Sequence, residues 1–343
     1  MNTNFLREKM MKGVNNLKSQ ILKIIPLDWV AFRAARSFSG VTNTNFPNAK
    51  TFYGAIYGEY FNQNKEKTGI VKEIKEKIEN RDLEIIGPFL IDENDEIYLP
   101  TPAILKTSEK KYIQMGYEYE GQKNIINGKE LNSIMYKKIK ETEDYPFNFI
   151  PIKIYEKIKN NDETYKEDLK QLQENEKKLY ETETKIGIAL EKGKRKTEKG
   201  MLYSMNYYRF RDGCGFVFFI RKDKNGILKK IDTIKLGTKG KLAFLETKEK
   251  ETNIFEKETG KRMNVLITNA VMENGIIPKK NITAVANKKY INIGFWDSEL
   301  NKPSTLQRAV PAGAVYFSDE SIGNISDLNT EYGFGETVEL PIK

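Results

Sequence analysis

An apolar, loosely alternating run that stops at a proline is the tightest constraint in this chain. Lys18 to Ile25 sets Leu22, Ile24 and Ile25 around Lys18 and Lys23, a pattern that suits a strand. Pro26 has no amide hydrogen to give a ladder, so the strand ends there. A loop follows with Asp28, Arg33, Arg36 and Phe38, then a polar stretch to Phe46. Beyond Pro47, Phe52, Ile56 and Tyr60 recur every four residues, which predicts a helix with Asn48 as its N-cap. Strand, basic loop and helix N-terminus in that order make a place for an anion, because helix amides and arginine side chains converge on it.

The same reading continues down the chain. Ile70, Ile74 and Ile78 among lysines and glutamates predict an amphipathic helix with its apolar stripe on the core. Leu83 to Ile91 reads as a strand interrupted by Gly87-Pro88. Asp92 to Asp95 is an acidic turn, and Ile97 to Leu99 the hairpin partner, stopped by Pro100 and Pro102. Strand, helix and hairpin open a ferredoxin-like β-α-β-β-α-β unit. Residues 106–150 are aromatic and charged with weak periodicity, and no elements follow from them. Residues 155–183 are rich in Lys and Glu, with Tyr165, Leu169, Leu172 and Leu179 at helical spacing, which reads as a charged helical insertion or connector. Lys185 to Leu190 and Met201 to Phe210 alternate as the strands of a hairpin with a basic tip. Gly215 to Arg221 reads as a buried strand, Asn225-Gly226 as a tight turn, and Gly237 to Lys241 as a glycine-basic loop entering a strand. Further strands are expected at Met263 to Val271, Ile282 to Ala286 and Tyr290 to Phe295.

Composition narrows the chemistry. The 343 residues carry 57 Lys and Arg against 48 Asp and Glu, a formal +9, which favours an anionic partner and nucleic acid before membrane. The charge is uneven: residues 1–50 hold eight basic residues against two acids, and residues 311–343 hold six acids against Lys343. With Cys214 the only cysteine, an internal disulfide and a Cys-rich zinc site are excluded, and a reducing cytoplasm fits. The apolar runs are too short to span a bilayer, and no signal-peptide pattern follows Arg7, Lys9 and Lys12. Histidine is absent, which removes the commonest general acid–base group and the usual Ser-His and Cys-His nucleophile pairs. No cofactor is expected: Gly294 to Asp297 and Gly333 to Gly335 are turns, not phosphate or dinucleotide loops.

Five segments together resemble a known family. They are Pro26-Leu27-Asp28 with Phe32-Arg33, Arg36, Phe38, Phe46-Pro47, Thr51 and Gly54; then Gly87-Pro88-Phe89 with Tyr98-Leu99-Pro100-Thr101-Pro102. The third is Ile186 to Leu190 with Arg195, Thr197, Gly200, Leu202 and Tyr203. The fourth is Leu236 to Phe244, where this chain spaces Gly237 and Gly240 apart although relatives place two glycines together. The last runs from Gly294-Phe295-Trp296-Asp297 through Arg308 to Phe317 and ends at Gly333-Phe334-Gly335. This order resembles the third subunit of the Cmr complex, the type III-B CRISPR effector, within the RAMP superfamily. The resemblance implies an α+β fold of two packed ferredoxin-like (RRM-like) β-α-β-β-α-β units, residues 1–150 and 151–343, with the charged helical insertion near 155–183. It implies a non-catalytic, cytoplasmic RNA-binding subunit that holds the 5′ tag of the guide RNA in antiviral defence. Its partners would be the large cyclase/nuclease-type subunit and the backbone subunits of the complex.

Single-stranded RNA is held by cations that track phosphates, by amides at glycine turns and by flat side chains under bases. The RNA-binding candidates are therefore Arg33 and Arg36 before the helix, Lys194, Arg195 and Lys196 at the hairpin tip, Lys239 and Lys241 in the glycine loop, and Arg308 in the last segment. Phe38, Phe46, Tyr203 and Tyr207 read as core. Two other functions stay open on the residues alone. One is a guide-processing endoribonuclease of the same superfamily, using lysine or tyrosine in place of histidine. The other is a protein–protein scaffold that binds no RNA.

Overall fold

The computed structural model describes residues 17–32, 40–42, 46–108, 113–136, 142–175, 177–190, 197–297 and 302–342. The first strand, Leu17–Pro26, sits inside a seven-stranded antiparallel sheet. Across that sheet the order is Phe149–Pro151, Ile97–Pro100, Leu83–Ile91, Gly215–Asp223, Leu17–Pro26, Lys241–Thr252 and Thr233–Leu236. Its central strands are apolar on both faces because both faces are covered. Ile21, Ile86, Phe89, Val217 and Phe219 enter one core. Their alternates Leu22, Ile24, Leu83, Ile85, Phe216 and Phe218 enter another. The period of two thus divides one sheet between two cores.

The second core is closed by the helix Ala49–Asn64, whose Phe52, Ile56 and Tyr60 are buried as their spacing predicts. Asn48 is its N-cap and accepts a hydrogen bond from the Thr51 amide at 3.3 Å. Tyr53 pins the helix to the sheet, its hydroxyl donating to the Leu83 carbonyl at 3.2 Å and accepting from the Ile85 amide at 3.0 Å. The amphipathic helix follows at Ile70–Glu79, with Ile70 buried and Ile74 and Ile78 packed against the same core.

The first core is closed by a second sheet of six strands, in the order Thr337–Pro341, Arg262–Leu266, Val315–Ser318, Ala284–Ala286, Lys129–Met135 and Tyr117–Ile126. Residues 106–150, silent in the sequence, supply its outer hairpin. The Lys/Glu-rich stretch forms two helices, Ile152–Lys159 and Tyr165–Glu174. These belong to the core: Tyr155 and Leu169 are completely buried, and the Tyr155 hydroxyl donates to the Pro100 carbonyl. Leu179 lies beyond the second helix, just ahead of the strand Tyr180–Leu190.

The architecture is α+β and mostly strand, with four α-helices among the described residues. Both large sheets draw strands from either side of residue 150. No helix among the described residues is long and apolar enough to cross a membrane.

Candidate nucleic-acid interface

Three segments distant in sequence meet at one corner of the seven-stranded sheet. The first is the loop leaving the first strand. Pro26 ends the ladder, the Leu27 amide still bonds the Leu242 carbonyl at 2.9 Å, and Asp28 accepts from the Trp29 amide at 2.7 Å. Val30 then pairs with Tyr208 in both directions, at 3.1 and 2.8 Å. The second segment is the long hairpin Tyr180–Leu190 with Thr197–Phe210, which also carries Gly40–Thr42 in parallel along Tyr203–Met205. The third is the turn between Leu236 and Lys241, the tip of the hairpin Thr233–Leu236 with Lys241–Thr252.

The turn docks by its backbone. Gly237 has φ +67°, and a Cβ there would lie 2.7 Å from the Ala31 carbonyl oxygen, so only glycine suits this approach. Next to it the Thr238 amide donates to that same carbonyl at 2.8 Å. Two separated glycines serve here: Gly237 for the close contact and Gly240, φ +56°, to close the turn.

At the centre lies Trp29. Lys185 places its ammonium 3.2 Å from the indole centroid and 5.3 Å from the Tyr207 ring, and Arg209 lies 5.6 Å from the same indole. The ladder explains the convergence. Lys185 is paired with Met205, Glu183 with Tyr207 and Glu181 with Arg209, so Lys185, Met205, Tyr207 and Arg209 share one face of the hairpin with Glu181 and Glu183. Met205 and Tyr207 bury that face against Ala31 and Trp29. Lys185 and Arg209 remain exposed, and neither has a carboxylate within ion-pair distance among the described residues. Asp28 feels the charge of Lys185 without forming an ion pair with it, so the two like charges on the indole are only partly offset and a further anion would stabilise them.

The candidate residues fall differently. Lys241 forms an ion pair with Asp28, and that hydrogen bond, with the Trp29 amide, holds the Asp28 carboxyl below the usual carboxylate range. It fastens the loop to the turn. Lys239, with φ +67°, stands exposed at the tip of the turn. Arg308 lies elsewhere, exposed on the short strand Gln307–Ala309 opposite Asn292. Arg33, Arg36, Lys194, Arg195, Lys196 and Phe38 lie outside the described residues, as does the side chain of Tyr203. The first two arginines belong to the segment joining Phe32 to Gly40, both of which adjoin this corner. Phe46 is half-buried and packs against the core, 4.9 Å from Phe149 and 5.8 Å from Phe216 between ring centroids.

Trp29, Lys185 and Arg209 escape a reading of the sequence. Each is a single unremarkable letter, and only the hairpin register brings the two cations onto one face beside the tryptophan.

The comparisons with known proteins agree with this frame. No curated protein matches the chain. Among solved structures, it is similar to a chain of the type III-B Cmr-beta complex bound to cognate target RNA and AMPPnP. The identity is 16%, 87% of this chain and 86% of that one are covered, and the TM-score is 0.52. It is also similar to a chain of the Csm3–Csm4 subcomplex of the type III-A CRISPR-Cas interference complex, at 16% identity, 94% and 99% coverage and a TM-score of 0.50. The family description "CRISPR-associated protein (Cas_Cmr3)" matches residues 22–331. With nearly its whole length matched, the chain belongs to the CRISPR-associated Cas_Cmr3 family.

Proposed function

We propose that this chain is a non-catalytic RNA-binding subunit of a type III-B CRISPR effector complex. In this reading it holds the 5′ tag of the guide RNA and joins the large cyclase/nuclease-type subunit to the backbone subunits in the cytoplasm. Family membership supports the assignment to such a complex. The observation that carries RNA binding is the pair of cations, Lys185 and Arg209, on Trp29 beside the turn with Lys239, neither of them in an ion pair among the described residues. A contact of this kind positions a phosphate backbone without reading bases. Arg33, Arg36, Lys194, Arg195 and Lys196 remain proposed phosphate contacts on the strength of their sequence alone. Two packed ferredoxin-like units remain the proposed plan of the fold.

The test is a salt titration of guide-RNA binding by the full chain and by the assembled complex. Lys185→Gln with Arg209→Gln should weaken binding severalfold and reduce the slope of log affinity against log salt by about 1.4, at about 0.7 per phosphate released. Unchanged affinity and slope in a folded double variant would return the corner to a structural role. A defined cut in guide RNA, abolished by one substitution within this chain, would overturn the non-catalytic assignment.

A further inference from the structure

One face of the seven-stranded sheet enters the core at Ile21 and comes out of it further along the same strand. Alternation puts Lys23, Ile25 and then Leu27 on that face. The register extends it sideways. Ile25 pairs with Phe244 and Phe244 with Thr233. One step on, the Leu27 amide bonds the Leu242 carbonyl, and Leu242 pairs with Lys235. Leu27, Leu242 and Phe244 are 59, 48 and 51% exposed, so three large apolar side chains lie on a part of the face that nothing among the described residues covers.

Beside them runs an open edge. Thr233–Leu236 is the last strand of the sheet and is paired on one side only. The Leu245 amide bonds the Asp232 carbonyl at 2.8 Å, which sets the phase of this ladder. Ile234 and Leu236 therefore turn their backbone groups toward Lys241–Thr252, while Thr233 and Lys235 turn theirs outward. No other segment among the described residues bonds those outward amides and carbonyls. Such a row is a template for a further strand.

Charge on the edge is one-sided. Lys229, Lys230 and Lys235 are exposed, and none forms an ion pair among the described residues. From 229 to 235 the sole acid is Asp232. RNA would answer the lysines but has no alternating amides and carbonyls for the edge. An extended peptide with carboxylates answers both, and it lays alternate side chains on the apolar face.

We propose that this edge takes an extended, acidic segment of a partner protein as an added strand. Its backbone pairs with Thr233 and Lys235, its apolar side chains lie on the face that carries Leu242 and Phe244, and its carboxylates stand beside the lysines. The contact lies beyond the RNA-binding reading and does not depend on it.

The experiment is fluorescence anisotropy of the full chain with a labelled peptide of about ten residues alternating leucine and glutamate, the length of a long strand. The peptide should bind, and should bind about tenfold more weakly when every amide is N-methylated or when lysine replaces glutamate. Hydrogen exchange across 233–235 should slow on binding. Lys235→Glu and Phe244→Asn, both at exposed positions, should each weaken binding severalfold, with folding checked by circular dichroism and thermal melting. Absence of binding by the acidic peptide, or equal binding of its N-methylated form, overturns the proposal. Displacement of the peptide by oligo(U) with no change in exchange across 233–235 also overturns it, and makes the edge a nucleic-acid surface.

Discussion

At the scale of single residues, the interface depends on Gly237. Its φ of +67° is costly for any residue with a Cβ, and the 2.7 Å approach to the Ala31 carbonyl leaves nothing soft to move. Gly237→Ala should therefore cost about 1–3 kcal/mol, read as a lower urea midpoint, and should weaken RNA binding because the turn leaves the Trp29 loop. A variant of wild-type stability would show that the turn is free to shift. Lys241 illustrates the opposite lesson. In sequence it looks like a phosphate contact, yet its charge is spent on Asp28. Lys185 and Arg209 form no ion pair among the described residues, although Asp28 feels the charge of Lys185 and Glu181 and Glu183 share their face of the hairpin.

At the scale of elements, the helices 152–159 and 165–174 matter most. Their Lys/Glu content reads as a solvated insertion, but a helix needs only one apolar stripe to enter a core. Leu169 and Tyr155 provide it, and the Tyr145 hydroxyl bonds the Leu169 carbonyl at 2.7 Å. Leu169→Ala should therefore cost about 2–5 kcal/mol by chemical denaturation, as for a core leucine. A change below about 0.5 kcal/mol would restore the insertion reading. The strand Tyr180–Leu190 and its partner show how register makes a site. Shifting that ladder by one residue would carry Lys185 to the other face and break the pairing on Trp29.

At the scale of the whole molecule, charge sets the response to pH. Glu339 is buried, which alone would raise its pKa. Hydrogen bonds from Ser321, the Glu258 amide and Arg262 hold it below the ordinary value. Burial raises Asp95 too, yet Lys23 and Lys248 leave it lowered. Hydrogen bonding from Lys177 brings Glu93 to about 2. A carboxyl more acidic in the folded state contributes stability that is full above its unfolded value and is lost as pH falls through its folded one. With no histidine in the chain, the urea midpoint should stay flat between about pH 5 and 8 and fall below about pH 4. Glu339→Gln should be less stable at neutral pH and show a shallower acid limb. A steep loss of stability above pH 5 would contradict this account.

The local elements were legible in the sequence because each has a local cause. Pro26 ends the first strand, Asn48 caps the helix at Ala49, the isoleucines of 70–78 set its neighbour, and Asn225-Gly226 takes two positive φ angles in succession. The family was legible from five ordered segments. The site was not. Which cations stay free, which are spent on carboxylates, and which share a face depends on strand register and on contacts between residues up to some two hundred positions apart, such as Asp28 with Lys241. The division of one sheet between two cores arises only where segments from both halves of the chain pack together. Local periodicity reports which way a side chain points, but it carries no information about what stands opposite it.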